Sequence, residues 1–236
     1  MRTRYSTFDT QVGADLSALA AILRISTKYM VESFRAQAIR ILRELYPTTL
    51  ADSHKRDVVN STLRTQSFPA RPIVIVALSE ECTIPTILPA ALYCAATQRS
   101  ELYFDDAVPP GPDGLRFRLS EKSLRAVILG KDKMKEAVCR DLLKFLIDRE
   151  PCASSKTCRR AFEHEAQRQL VGLSINRFHP LLALRDYPWE PLETAGGCAV
   201  CLKLARSQFS EAQQAFWKQL PSFFEFEGWN QFRTES

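Results

Sequence analysis

Residues 15–50, DLSALAAILRISTKYMVESFRAQAIRILRELYPTTL, decide the fold class of this chain. Leu16, Leu19, Ala20 and Leu23 recur at three- and four-residue spacing, which places them on one stripe of a helix. Asp15 or Ser17 can cap its start, because a side-chain oxygen there satisfies an otherwise orphan amide. A break follows near Ser26–Lys28. Val31, Phe34, Ala38, Ile41, Leu42 and Leu45 then form a second stripe, which Pro47 ends. The stretch reads as a helical hairpin.

Working outward, residues 51–70 are polar and irregular and read as a linker. The run PIVIVALSEECTIPTILPAALYCAAT at 72–97 is ambiguous at its start, because Ile73–Val76 alone suits a buried strand. Pro72 suits the first turn of a helix instead, where a missing amide costs nothing, and the apolar run continues past the usual strand length. Two helices split at Pro85 are the expectation. DDAVPPGPDG at 105–114 is a turn-rich loop. Ser120 opens an amphipathic segment through Leu124, Val127 and Ile128, with Gly130 as its expected left-handed stop. Met134, Val138, Leu142, Phe145 and Leu146 mark another helix. Helices from about Ser155 to Leu170 and from Ala199 to Leu220 complete the pattern. The fold class is therefore mostly α, an irregular multi-helix bundle with long loops and no extended sheet. Its expected parts are a hairpin over 1–50, a linker over 51–70, a helical region over 71–150 and a cysteine-containing helical region over 151–236.

At 236 residues, 45% hydrophobic and 25% charged, the chain has the composition of an ordinary globular protein that buries a core. No apolar run is long enough to span a membrane. The start, MRTRYSTFDT, lacks the apolar segment of a secretory signal. Seven cysteines, an odd number, point to free thiols in a reducing compartment, the cytoplasm or nucleus. The net charge of +5 is spread along the chain, and the longest basic cluster, Lys156–Arg160, is short. A solvated helix face explains it better than a nucleic-acid footprint.

The hairpin resembles the helical end of a BTB/POZ domain, with Lys28, Tyr29, Val31 and Phe34 at the places of its KY-x-V-x-x-hydrophobic segment. YPTTL at 46–50, ILPAALYCA at 87–95, LSEKSLRAVILGKDKM at 119–134, the Trp189 region and a C-x-x-C before a last helix are similar to the C-terminal region of fungal BTB/POZ proteins. The resemblance implies a non-catalytic protein–protein interaction module, with Tyr29, Val31 and Phe34 in the partner-binding surface. A complete domain of that family carries a small sheet and further helices ahead of the hairpin. Here Met1 falls almost on the hairpin, so the front of the domain is expected to be absent. A cullin-type ligase, which would use that front, is a doubtful partner.

Four cysteines fall in two groups, Cys152 and Cys158, then Cys198 and Cys201. Zinc takes four ligands tetrahedrally and favours thiolates, and each group sits at an expected helix start, where the dipole favours thiolate over thiol. A structural zinc joining the 150s to the 190s follows, with His164 or His179 as a substitute ligand. The plainer alternative is that these are small buried residues. A redox C-x-x-C requires a strand leading into it, and LETAGG ahead of Cys198 has no strand character. A zinc-stabilised nucleic-acid or chromatin-associated factor is the second functional reading, and a thiol oxidoreductase the third. No nucleophile, phosphate-loop or metalloprotease motif selects a catalytic residue. Phe223, Phe224, Phe226, Trp229 and Phe232 form either an exposed partner-binding tail or a tail packed on its own core.

Overall fold

The computed structural model describes residues 16–55, 71–104, 118–147, 152, 156–175 and 187–232. Among these residues every regular element is helical and no strand occurs. The chain divides into two compact units, residues 1–127 with 229–236, and residues 128–228.

In the first unit α1 (Leu16–Lys28) packs against α2 (Glu32–Leu45) through Leu19, Leu23, Ala38 and Leu42, all buried. Phe34, expected on the apolar stripe, is exposed instead. Residues 50–55 are helical rather than linker: the Asp52 amide donates to Thr49 Oγ1 at 3.1 Å, an N-terminal cap. The remainder of the expected linker, 56–70, and the turn-rich 105–114 lie outside the described residues.

The ambiguous apolar run is helical. α3 (Arg71–Glu81) and α4 (Leu88–Ala96) pack together, separated by a short 3-10 turn at Pro85–Ile87. Ile73, Val74, Ile75 and Val76 are all buried, so this turn of α3 is apolar all round because it is covered all round. That is why its sequence carries so little helical periodicity. A bidentate Arg24–Glu81 ion pair ties α1 to α3, with N···O distances of 2.8–3.0 Å. Arg35 donates to the Cys82 and Thr83 carbonyls at the end of α3.

α5 (Glu121–Ala137) starts with Ser120 accepting the Ser123 amide at 3.1 Å. It runs through Gly130 without stopping and continues into a π-helical turn at Val138–Leu142, where two separate helices were expected. Gly130 has a packing role: a Cβ there would lie 2.4 Å from Phe224 Cε1, so only glycine admits that ring.

In the second unit α6 (Lys144–Ile147) packs on α7 (Lys156–Ile175), which also meets α8 (Glu190–Thr194). The long α9 (Ala199–Phe223) packs on α6 and the π-helical turn. Phe145, Tyr187, Trp189 and Phe209 form one cluster with ring centroids 4.6–6.0 Å apart. Arg206 lies over the Trp189 ring. Phe223, Phe224, Trp229 and Phe232 are buried and Phe226 is half-buried, so the aromatic tail is packed.

Four helix ends share one device. Val31 N–H donates to Ser26 O, Ile84 to Ser79 O, Gly197 to Leu192 O and Phe226 to Pro221 O. In each case the preceding residue has positive φ: Met30 at 53°, Thr83 at 53°, Gly196 at 96° and Glu225 at 67°. These are Schellman caps, which close a helix by reversing one residue into the left-handed region. Three of the four place a non-glycine residue there, against a cost of about 1–2 kcal/mol for an L-amino acid.

Candidate metal centre

The four cysteines converge. The sulfurs of Cys152, Cys158, Cys198 and Cys201 all lie within 4.8 Å of one another, the one such cluster among the described residues. Cys152 Sγ and Cys198 Sγ are 3.7 Å apart. A tetrahedral zinc with Zn–S near ~2.3 Å has sulfur–sulfur edges of about 3.8 Å. Any four points within 4.8 Å of one another share a centre no more than about 2.9 Å from each. Four sulfurs this close together could hold one metal ion. None of the seven cysteines is in a disulfide, and 3.7 Å is well beyond the ~2.05 Å of an S–S bond.

The local sequence explains the convergence. α8 ends at Thr194, and the Gly196 and Gly197 amides turn back to the Glu193 and Leu192 carbonyls at 3.1 and 2.8 Å. Gly196 takes φ of +96°, and a Cβ on it would lie 2.8 Å from Thr157 Cγ2. A Cβ on Gly197 would lie 2.7 Å from the Leu192 carbonyl oxygen. The glycine pair thus reverses the chain tightly enough to deliver Cys198 as the N-cap of α9, with Cys201 in its first turn. Cys158 sits in the first turn of α7 and is fully buried, while Cys152 lies outside any helix. The Cys198 amide donates to Cys158 Sγ at 3.4 Å, which joins the starts of α9 and α7 at the cluster.

Electrostatics agree with an anionic centre. Two helix N-termini meet the sulfurs, each with the positive end of its dipole. Neither α7 nor α9 has an acidic residue in its first turn, where one would ordinarily complement that dipole. α7 instead begins Lys156, Thr157, Cys158, Arg159, Arg160. Cations at a helix start oppose its dipole, and four thiolates around a divalent ion, with net charge −2, would compensate for them.

His164 is exposed on α7 and is not part of the cluster; His179 lies outside the described residues. With four sulfurs together, no imidazole is needed as a substitute ligand. Glu163 and Glu165, which flank His164, face different ways. Glu165 is buried and accepts from Arg168 at 2.6 and 2.7 Å, from Gln169 at 2.8 Å and from the Tyr187 hydroxyl at 2.8 Å. Burial alone would raise its carboxyl, but these bonds outweigh that and hold it below the ordinary carboxylate range. Sequence reading gave no sign of this network, because Tyr187 is 22 residues away.

The expected partner-binding residues lie at the α1–α2 corner. Tyr29 is 66% exposed and Phe34 49%, and Ile25 and Met30 beside them are 58% and 84% exposed. Val31 is half-buried. Ile25 and Met30 did not stand out in the sequence, since their exposure follows from where the hairpin turns. Among the described residues no helix is long and apolar enough to cross a membrane. Comparison with family models, with curated proteins and with solved structures finds no match.

Proposed function

We propose that this chain is a non-catalytic protein–protein interaction module of the kind found after the BTB domain in fungal BTB/POZ proteins. In this reading it works in a reducing intracellular compartment, and its second unit is tied by a structural zinc ion. The observation that carries the interaction reading is Met30. It holds a left-handed backbone, the position most helices give to glycine, while its side chain is 84% exposed. Backbone strain kept at an exposed apolar residue points to recognition, because neither packing nor chain reversal requires methionine there. Ile25, Tyr29 and Phe34 extend the apolar surface around it.

The zinc reading is supported by the four sulfurs within 4.8 Å and the two helix starts directed at them. Its role is structural: all four tetrahedral positions are taken by protein, so none is left for a reacting water. Stripping metal with a chelator should lower the helical signal of the chain, and stoichiometric zinc should restore it.

A photo-crosslinking residue at position 30 tests the interaction reading. A discrete protein adduct is expected, competed by unlabelled chain and lost in Phe34→Ser. The same probe at exposed Glu44, on α2, should give none. Equal adducts from both positions, or none from position 30, would contradict the reading.

A further inference from the structure

The four ligands are not held alike, and this bears on what an oxidant does to the centre; the inference rests on the zinc reading above. Cys158 and Cys201 lie inside the first turns of α7 and α9, where the helical hydrogen-bond ladder fixes their backbone. Cys152 lies outside any helix. Cys198 is an N-cap with extended φ and ψ of −78° and 152°, so its backbone also stands outside the helical repeat. These two sulfurs are 3.7 Å apart; both residues are half-buried, as is Cys201, whereas Cys158 is fully buried. Bond formation needs the pair to close to about 2.05 Å, a movement that falls on Cys152, the one ligand of the four outside any helix or helix cap.

We propose that the centre is a peroxide-sensitive switch in which Cys152 and Cys198 form a disulfide and the zinc ion leaves. One thiolate attacks a peroxide oxygen, the O–O bond breaks, and a sulfenic acid forms as hydroxide departs. The second thiolate attacks the sulfenic sulfur; the S–S bond forms, the S–O bond breaks, and a second hydroxide departs. Two electrons pass from the sulfurs to hydrogen peroxide, both hydroxides take protons from solvent to become water, and zinc stays divalent. Cys158 and Cys201 alone hold the ion too weakly to keep it, while the new bond still ties residue 152 to the start of α9.

The test uses the full chain after its zinc content has been measured. Hydrogen peroxide is added in stoichiometric steps, zinc release is followed with a chromophoric chelator, and disulfides are mapped by mass spectrometry after alkylation. One zinc is expected per peroxide consumed, with the 152–198 peptide pair dominant, Cys158 and Cys201 alkylated, and zinc rebinding after reduction. In Cys152→Ser, provided zinc is still bound, release should slow at least tenfold. The wild-type map decides the pairing if that variant does not fold. A dominant 198–201 or 158-containing bridge, or zinc retained at tenfold excess of peroxide, would overturn the proposal. A chain that carries no zinc at the outset overturns the zinc reading instead, and the disulfide map of that same metal-free chain still decides the pairing.

Discussion

Replacing Met30 by glycine separates the stability of the α1–α2 corner from its use. Met30 adopts φ of 53°, which costs an L-residue about 1–2 kcal/mol and costs glycine almost nothing. Against this, glycine adds roughly 0.5–1 kcal/mol of unfolded-state entropy. The methionine side chain is 84% exposed, so its removal forfeits little burial. The balance is a gain of about 0.5–1 kcal/mol. In urea, with a denaturant slope near ~2 kcal/mol per molar, the midpoint should rise by about 0.3–0.5 M. Thr83→Gly provides an internal check, because Thr83 has the same φ, is exposed, and is β-branched, which makes the left-handed region harsher still. Its midpoint should rise at least as far. Capture of a partner by the immobilised chain should survive Thr83→Gly and fall in Met30→Gly. A midpoint that drops or stays unchanged in both variants would refute the strain argument, and undiminished partner capture by Met30→Gly would refute the functional one.

Other substitutions test the rest of the account. Gly197→Ala sets a methyl 2.7 Å from the Leu192 carbonyl and disrupts the cap that delivers Cys198; zinc affinity by chelator competition should fall about tenfold or more, a loss of ~1.4 kcal/mol or greater. Gly130→Ala gains about 1 kcal/mol of helix propensity but drives Cβ to 2.4 Å from the buried Phe224 ring, and the clash should win by about 1–2 kcal/mol in thermal unfolding. Glu165→Gln should cost about 2–3 kcal/mol at neutral pH through weakened charge-assisted bonds. Because the folded Glu165 pKa lies below that of an ordinary glutamate, the wild-type advantage is complete above the ordinary value and should vanish as pH falls through the folded pKa.

The helical fold was legible where burial is one-sided: the stripes through Leu19 and Leu23 and through Ala38 and Leu42 follow a period of 3.6 because water covers the opposite face. It was less legible in α3, where burial on every side erases periodicity and leaves the Ile73–Val76 run ambiguous. Helix ends were the hardest. Met30, Thr83 and Glu225 reverse the chain without glycine, while Gly130, the glycine expected to stop a helix, sits inside one because Phe224 lies against it. Turn chemistry is written in residue types only when the backbone relies on them. The cysteine quartet was visible as spacing. Its convergence was not, because it depends on Gly196 turning tightly against Thr157, a contact made across the fold.

Whether the four converged sulfurs hold one zinc ion is decided by elemental analysis of the full chain, purified under reducing conditions without added metal. One zinc per chain is expected in the wild type, with a large loss when Cys158, the buried cysteine of the four, is changed to serine. Metal-free wild-type chain, or zinc retained undiminished in Cys158→Ser, would contradict it.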